Sequence, residues 1–203
     1  TAYRRQRQMC IRDRWGDYRA HPIDALKIWE GGLAIYGGVI AGLLTGIVWC
    51  RKKKIPFGAM ADVCAPGLLI GQCVGRWGNF FNQEAFGTNT DLPWGMTGSI
   101  IQQGSHGMGY NADLPVHPTF LYESLWCLAL FIFLIWLDRR RSFPGQIGCL
   151  YGMLYSLERG LVEQLRTDSL MIGPFKQAQV LSFCVFLFCL AAYMILMKKE
   201  KKS

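Results

Sequence analysis

Three blocks of basic residues limit what this chain can fold into: Arg51-Lys52-Lys53-Lys54, Arg139-Arg140-Arg141 and Lys198-Lys199-Glu200-Lys201-Lys202. Each closes an apolar run close to the roughly 20 residues that a helix needs to cross a hydrocarbon core. A soluble fold has no reason to end its most apolar segments on cations. A membrane protein does, because Lys and Arg are retained on the cytoplasmic side. On that rule five runs alternate in direction: 31–50 inward, 58–81 outward, 119–137 inward, 146–165 outward and 178–197 inward. The expected fold is an all-α polytopic membrane protein with about five transmembrane helices. The net charge of +8 does not point to nucleic acid, because it is gathered in blocks that flank the runs. The eight cysteines form no CxxC, and most lie in apolar runs as small hydrophobes, so neither a disulfide framework nor a metal site is expected.

Within the runs, glycines recur at every fourth residue: Gly38, Gly42 and Gly46, then Gly67, Gly71 and Gly75, then Gly148 and Gly152. That spacing places each set on one helix face as a small-residue packing stripe. Residues 82–117 form a long connection without Lys or Arg but with Trp94, Met96, Ile100, Ile101 and Tyr110. A connection of that length and content is expected to be an ordered extracytoplasmic cap between the second and third spans. Residues 1–14 carry Arg4, Arg5, Arg7, Arg12 and Arg14 with no apolar period, on what would be the outer side. They resemble a translated sequencing adapter and are expected to be non-native; the same arginines in close homologues would count against that.

The rule that places the basic blocks leaves a few outer cations unexplained: Arg76, Arg159, Arg166 and Lys176. Arg76 ends a long apolar run and opens Gly75-Arg76-Trp77-Gly78-Asn79-Phe80-Phe81-Asn82-Gln83-Glu84-Ala85-Phe86-Gly87. A cation there is costly unless it snorkels or meets an anion. Arg159, Glu163 and Arg166 share one helix face by spacing, with Arg159 roughly 10 Å below the outer end of its run. An intrahelical salt bridge is the plain reading of that trio; a site is the other. Two guanidiniums at one level would repel unless an anion lies between them, and a lipid phosphate suits their paired donors. Asn79 and Asn82 add neutral donors. Glu84 and Glu163 are either partners of the arginines or bases, and Glu123 lies in the same outer layer. Tyr36, near the outer end of the first run, is an interfacial tyrosine or a hydrogen-bonding group for substrate. His117 reads as a helix-start residue. HExxH, P-loop, GxSxG and Ser-His-Asp patterns do not occur.

The Arg76 stretch resembles the signature of the prolipoprotein diacylglyceryl transferases. Three further stretches resemble the same family: Gly31-Gly32-Leu33-Ala34-Ile35-Tyr36-Gly37-Gly38, His117-Pro118-Thr119-Phe120-Leu121-Tyr122-Glu123, and Arg159-Gly160-Leu161-Val162-Glu163-Gln164-Leu165-Arg166. Many members carry a histidine at the place of Tyr36, so no histidine base is available at that position here. The resemblance implies a membrane transferase domain over 15–203, lacking the family's first spans. Its implied reaction moves the diacylglyceryl group of phosphatidylglycerol to the lipobox cysteine of a prolipoprotein signal peptide, without cofactor or metal. It implies catalytic roles among Arg76, Arg159, Tyr36, Glu84 and Glu163, and substrate binding by Arg76, Asn79, Asn82, Gly87, Arg159 and Arg166. The implied setting is the bacterial cytoplasmic membrane, with the site toward its extracytoplasmic face. An anion transporter or another phospholipid head-group enzyme is the alternative, and neither a midplane charge pattern nor a metal-carboxylate set favours it.

Overall fold

A computed structural model describes residues 35–103, 110–167, 171–172 and 174–201. The segment 1–14, the connection before α1 and part of the 82–117 connection lie outside the described residues. The chain divides into two units, residues 1–54 and 55–203. The described part of the first is α1 (Ile35–Lys53), which ends on Arg51, Lys52 and Lys53.

The second unit holds α2 (Phe57–Asn82), the one-turn α3 (Ser99–Gln102), α4 (Thr119–Asp138), α5 (Gln146–Leu165) and α6 (Gln177–Glu200). A two-stranded hairpin, β1 (Met171–Ile172) and β2 (Phe175–Lys176), leads into α6. Pro56 opens α2 and Pro118 opens α4, positions where a missing backbone N–H costs nothing. α2 stops where Gln83 turns left-handed and donates its N–H back to the carbonyls of Asn79 and Phe80.

The four long helices of this unit alternate in direction. The start of α2 meets the start of α5, where the Asp62 carboxylate accepts the N–H groups of Gly145 (2.7 Å) and Gly148 (2.9 Å). Asp62 is 2% exposed, so α5 takes its N-terminal cap from a different helix. Gly145 has φ +97, a conformation that suits glycine alone, and Gly148 lies directly against Ala61. The far end of α6 reaches the same place, with Tyr193 edge-on to Phe143. Arg139–Arg141 and the lysines at the end of α6 therefore gather at one end of the unit. Arg76, Arg159 and Arg166 lie toward the other. We expect Asp62→Ala to lower stability by about 1–3 kcal/mol, the cost of stranding buried N–H groups. Asp62→Asn, which keeps one acceptor, loses less; chemical denaturation in detergent measures both.

The core between α2, α4 and α5 is Ala65, Leu69, Cys127, Leu130, Leu134 and Ile147. The Gly148–Gly152 stripe is used as expected, against Ala61 of α2 and Cys189 of α6. Within this unit the packed face of α2 runs through Asp62, Ala65 and Leu69, and a Cβ built on Gly67, Gly71 or Gly75 meets no described atom of the unit within 4 Å. Spacing shows that residues share a face; it does not show which face has a neighbour.

Three helices, α2, α4 and α6, are long and apolar enough to cross a membrane. Val63, Phe81 and Phe188, on α2 and α6, are each about three-quarters exposed. Large apolar side chains facing outward suit a hydrocarbon solvent. α1 and α5 are of comparable length but less apolar, α1 through its glycines and terminal cations, α5 through Gln146, Glu158, Arg159 and Glu163.

The described parts of 83–118 build a second small core, Phe86, Met96, Ile101 and Val116, against Phe120 of α4. Bridges Asn89↔Val116 and Met96↔Val116 fold it on itself, and Gly87↔Arg166 ties it to the end of α5.

Candidate active site

Arg76 lies near the end of α2, Glu123 in the first turns of α4 and Arg159 in the last third of α5. The three converge. Glu123 Oε2 is 2.5 Å from Arg76 Nε and Glu123 Oε1 is 3.2 Å from Arg159 Nη1. One carboxylate, 2% exposed, thus holds two guanidiniums from two helices, one on each oxygen. The anion that keeps these cations together is a glutamate of a third helix. Arg159 Nη2 is 2.8 Å from Glu163 Oε2 but off the N–H axis, so that pair is an attraction of charges more than a directed hydrogen bond. Arg166 Nε lies 4.0 Å from the same oxygen. Three guanidiniums thus face Glu123 and Glu163.

Neighbouring contacts fix this geometry. Ser124, next to Glu123, accepts from Trp77 Nε1 (3.2 Å) and donates to the Cys73 carbonyl (3.0 Å), fastening α4 to α2 beside Arg76. Phe120 sits between Trp77 and Phe80, with ring centroids 5.4 and 5.0 Å away. Arg76 Nη2 donates to Tyr155 Oη (3.4 Å), and Gln72 Nε2 donates to Tyr151 Oη (2.9 Å). At the far end of α5, Lys176 Nζ donates to the carbonyls of Glu163 (2.6 Å), Gln164 (3.2 Å) and Arg166 (3.0 Å). Those are carbonyls the helix leaves without partners. The outer cation Lys176 is thereby accounted for as a helix cap.

Of the residues singled out by sequence, Arg76, Arg159, Glu163 and Arg166 come together. Asn79 is one turn beyond Arg76 on α2. Asn82 and Glu84 turn to each other, Nδ2 to Oε1 at 3.1 Å, at the exposed end of α2. Gly87 is buried, and its N–H donates to the His117 carbonyl (2.9 Å). A Cβ there would stand 2.8 Å from His117 Cβ and 3.1 Å from the Leu165 carbonyl. Gly87 is therefore what lets the 83–118 segment close on α5 beside Arg166. Gly87→Ala is expected to cost about 1–3 kcal/mol through overpacking, read as a lower melting temperature. Gly78→Ala, with open space beside it, leaves the melt unchanged. Tyr36 lies on the first turn of α1, in the other unit, and its side chain is outside the described residues.

His117 Nδ1 and Tyr122 Oη are 3.1 Å apart, and Trp94 Nε1 donates to the same hydroxyl (3.0 Å). That links the 83–118 segment to the start of α4 and fits a helix-start role for His117. Tyr151, Tyr155 and Glu158 were not singled out by sequence. Their spacing of i, i+4, i+7 puts them on one face of α5, which was the available signal. Among the described residues no three His, Cys, Asp or Glu side chains come together as a metal site.

The cluster is a set of guanidiniums held in place by carboxylates. Comparison with known proteins agrees with the motifs. The sequence matches the family described as "Prolipoprotein diacylglyceryl transferase" over residues 9–195. It is 47% identical over 181 residues to a protein of Thermotoga maritima named phosphatidylglycerol–prolipoprotein diacylglyceryl transferase, covering 88% of this chain and 61% of the relative. A protein of the same name from Synechococcus elongatus is 45% identical over 180 residues, covering 86% of this chain and 61% of the relative. The chain thus spans about three-fifths of the length of these relatives. With a match that runs through nearly all of its residues, the chain belongs to the prolipoprotein diacylglyceryl transferase family.

Proposed function

We propose that the full-length protein transfers the diacylglyceryl group of phosphatidylglycerol to the lipobox cysteine of a prolipoprotein. The observation that carries this is the meeting of Arg76 and Arg159 on Glu123. It yields a fixed pair of guanidiniums whose remaining N–H donors suit the oxygens of a phosphodiester. In the reaction the cysteine sulfur attacks the glyceryl carbon that bears the phosphate. A C–S bond forms, the C–O bond breaks, and glycerol 1-phosphate leaves with the bonding pair. Arg76 and Arg159 stabilise the charge that builds on the departing phosphate, and they need no reorganisation to do so. The thiol proton goes to a base, for which Tyr36, Glu84 and Glu163 are the candidates; Glu163 stands within the cluster, and Glu84 accepts from Asn82.

In this reading all five long helices span the bacterial cytoplasmic membrane and the basic blocks lie inside. The guanidinium cluster then lies toward the extracytoplasmic face, under a cap formed by 82–117. The membrane delivers the acyl chains and the signal peptide in two dimensions, so proximity supplies part of the rate. The test is incubation of the full-length protein with labelled phosphatidylglycerol and a lipobox peptide. A thioether-linked peptide and released glycerol 1-phosphate are expected. Anion uptake without product, or headgroup release without peptide modification, would replace this reading with a transporter or a head-group hydrolase.

A further inference from the structure

Glu158 is 3% exposed, and neither of its carboxyl oxygens has a hydrogen-bond partner among the described residues. It precedes Arg159 on α5, on the face that presents Tyr151 to Gln72 and Tyr155 to Arg76. The charges that act on it are those of Glu123, Arg76 and Arg159. It therefore stands beside the guanidinium pair without being one of its anchors, because those arginines are turned to Glu123 and Glu163. A second buried acceptor, Gln72 Oε1 on α2 opposite Tyr151, also lacks a donor among the described residues.

Burying acceptors without donors is costly, and the cost is removed when a donor arrives. A phosphate cannot be that donor, since it brings acceptors and like charge. Hydroxyl groups can be. Two open oxygens on one carboxyl group match two hydroxyls on adjacent carbons. An alcohol of that kind, esterified to a phosphate held by Arg76 and Arg159, would lie within reach of the neighbouring Glu158.

We propose that Glu158 is the specificity residue for the headgroup, accepting hydrogen bonds from the adjacent hydroxyls of the glycerol carried on the lipid phosphate. The proposal rests on the transferase reading above, with phosphatidylglycerol as donor. It assigns the phosphate to the arginines and the diol to the glutamate. A phosphodiester lipid of equal charge but without hydroxyls then meets the arginines and leaves Glu158 unsatisfied. Discrimination of about 10- to 100-fold is expected, in line with one or two hydrogen bonds to a carboxylate.

The test compares phosphatidylglycerol with phosphatidyl-1-propanol, in the full-length wild type and in Glu158→Ala and Glu158→Gln. Binding of short-chain forms is followed by a fluorescence titration, and transfer to a lipobox peptide is measured separately. Wild type is expected to prefer the diol lipid in both measurements. Glu158→Ala loses the preference by raising KM for phosphatidylglycerol about tenfold or more, while the propanol lipid is handled as by wild type. Glu158→Gln, with one acceptor left, falls between. Because the carboxyl lacks a protein partner, neither variant melts below wild type. Three results would overturn the proposal: a preference that survives in Glu158→Ala, an equal kcat loss on both lipids, or a lowered melt in both variants. If wild type transfers nothing to peptide, the transferase reading fails; the binding comparison still decides whether Glu158 reads the diol.

Discussion

If the proposed transfer holds, replacing Arg159 by alanine in the full-length protein is expected to lower kcat for transfer to a lipobox peptide by at least about 100-fold, and Arg76→Ala to do the same. Each guanidinium occupies one oxygen of Glu123 and keeps further N–H groups to direct at a phosphate. Removing either takes away a donor that is already in place when charge builds on the leaving group. The two act on one anion, so the double mutant falls far short of the product of the single losses. Lysine is a poor substitute at position 159. A single ammonium lacks the planar fork with which Arg159 reaches Glu123 through one nitrogen and Glu163 through another. Membrane insertion is expected to be unchanged in these mutants, since the basic blocks at the helix ends are untouched. Wild-type rates in either alanine mutant would remove the phosphate role.

The second large effect is at Glu123. Its carboxylate is 2% exposed and is shared by two cations that would otherwise face each other. Glu123→Ala leaves Arg76 without its carboxylate and Arg159 with Glu163 alone, which costs about 3–5 kcal/mol for a buried pair broken from one side. Glu123→Gln keeps the shape but puts an amide donor against a guanidinium, so it is also destabilised, by less. Both variants lose transfer, because the guanidiniums separate. An anionic lipid can then take the place of the missing charge. Added phosphatidylglycerol is expected to raise the melting temperature of Glu123→Gln more than that of wild type. An equal rise in both would mean that the glutamate does not hold the arginine pair.

Some of this arrangement could be read from the chain and some could not. α2, α4 and α5 lie within a residue or so of the expected runs, because long apolar stretches ended by Pro, Gly or charge leave little choice of boundary. The joint placement of Arg159, Glu163 and Arg166 follows from helical period alone. Their meeting with Arg76 required two guanidiniums to approach closely. The glutamate that permits it begins α4, and sequence offered it as a residue of the same layer that could join the arginine cluster. Asn82 and Glu84 pair locally at i, i+2, a contact that a motif does not reveal. Tyr155 was hidden because a tyrosine in an apolar run has many uses. Glu158 was hidden because a carboxylate next to an arginine suggests a salt bridge, and it makes none. Within its unit α2 is turned so that the Asp62, Ala65 and Leu69 side carries the contacts, which glycine spacing does not reveal.

Helix α5 is pinned at both extremities by groups that are not its own, Asp62 at the beginning and Lys176 at the finish. A rod held only along its flank can creep lengthwise. One residue of creep is 1.5 Å of travel with a 100° turn, enough to swing Arg159 off Glu123 and bring a neighbour into its place. Anchors at opposite tips forbid that slippage, so the arginine keeps its bearing even when the apolar contacts along the shaft loosen.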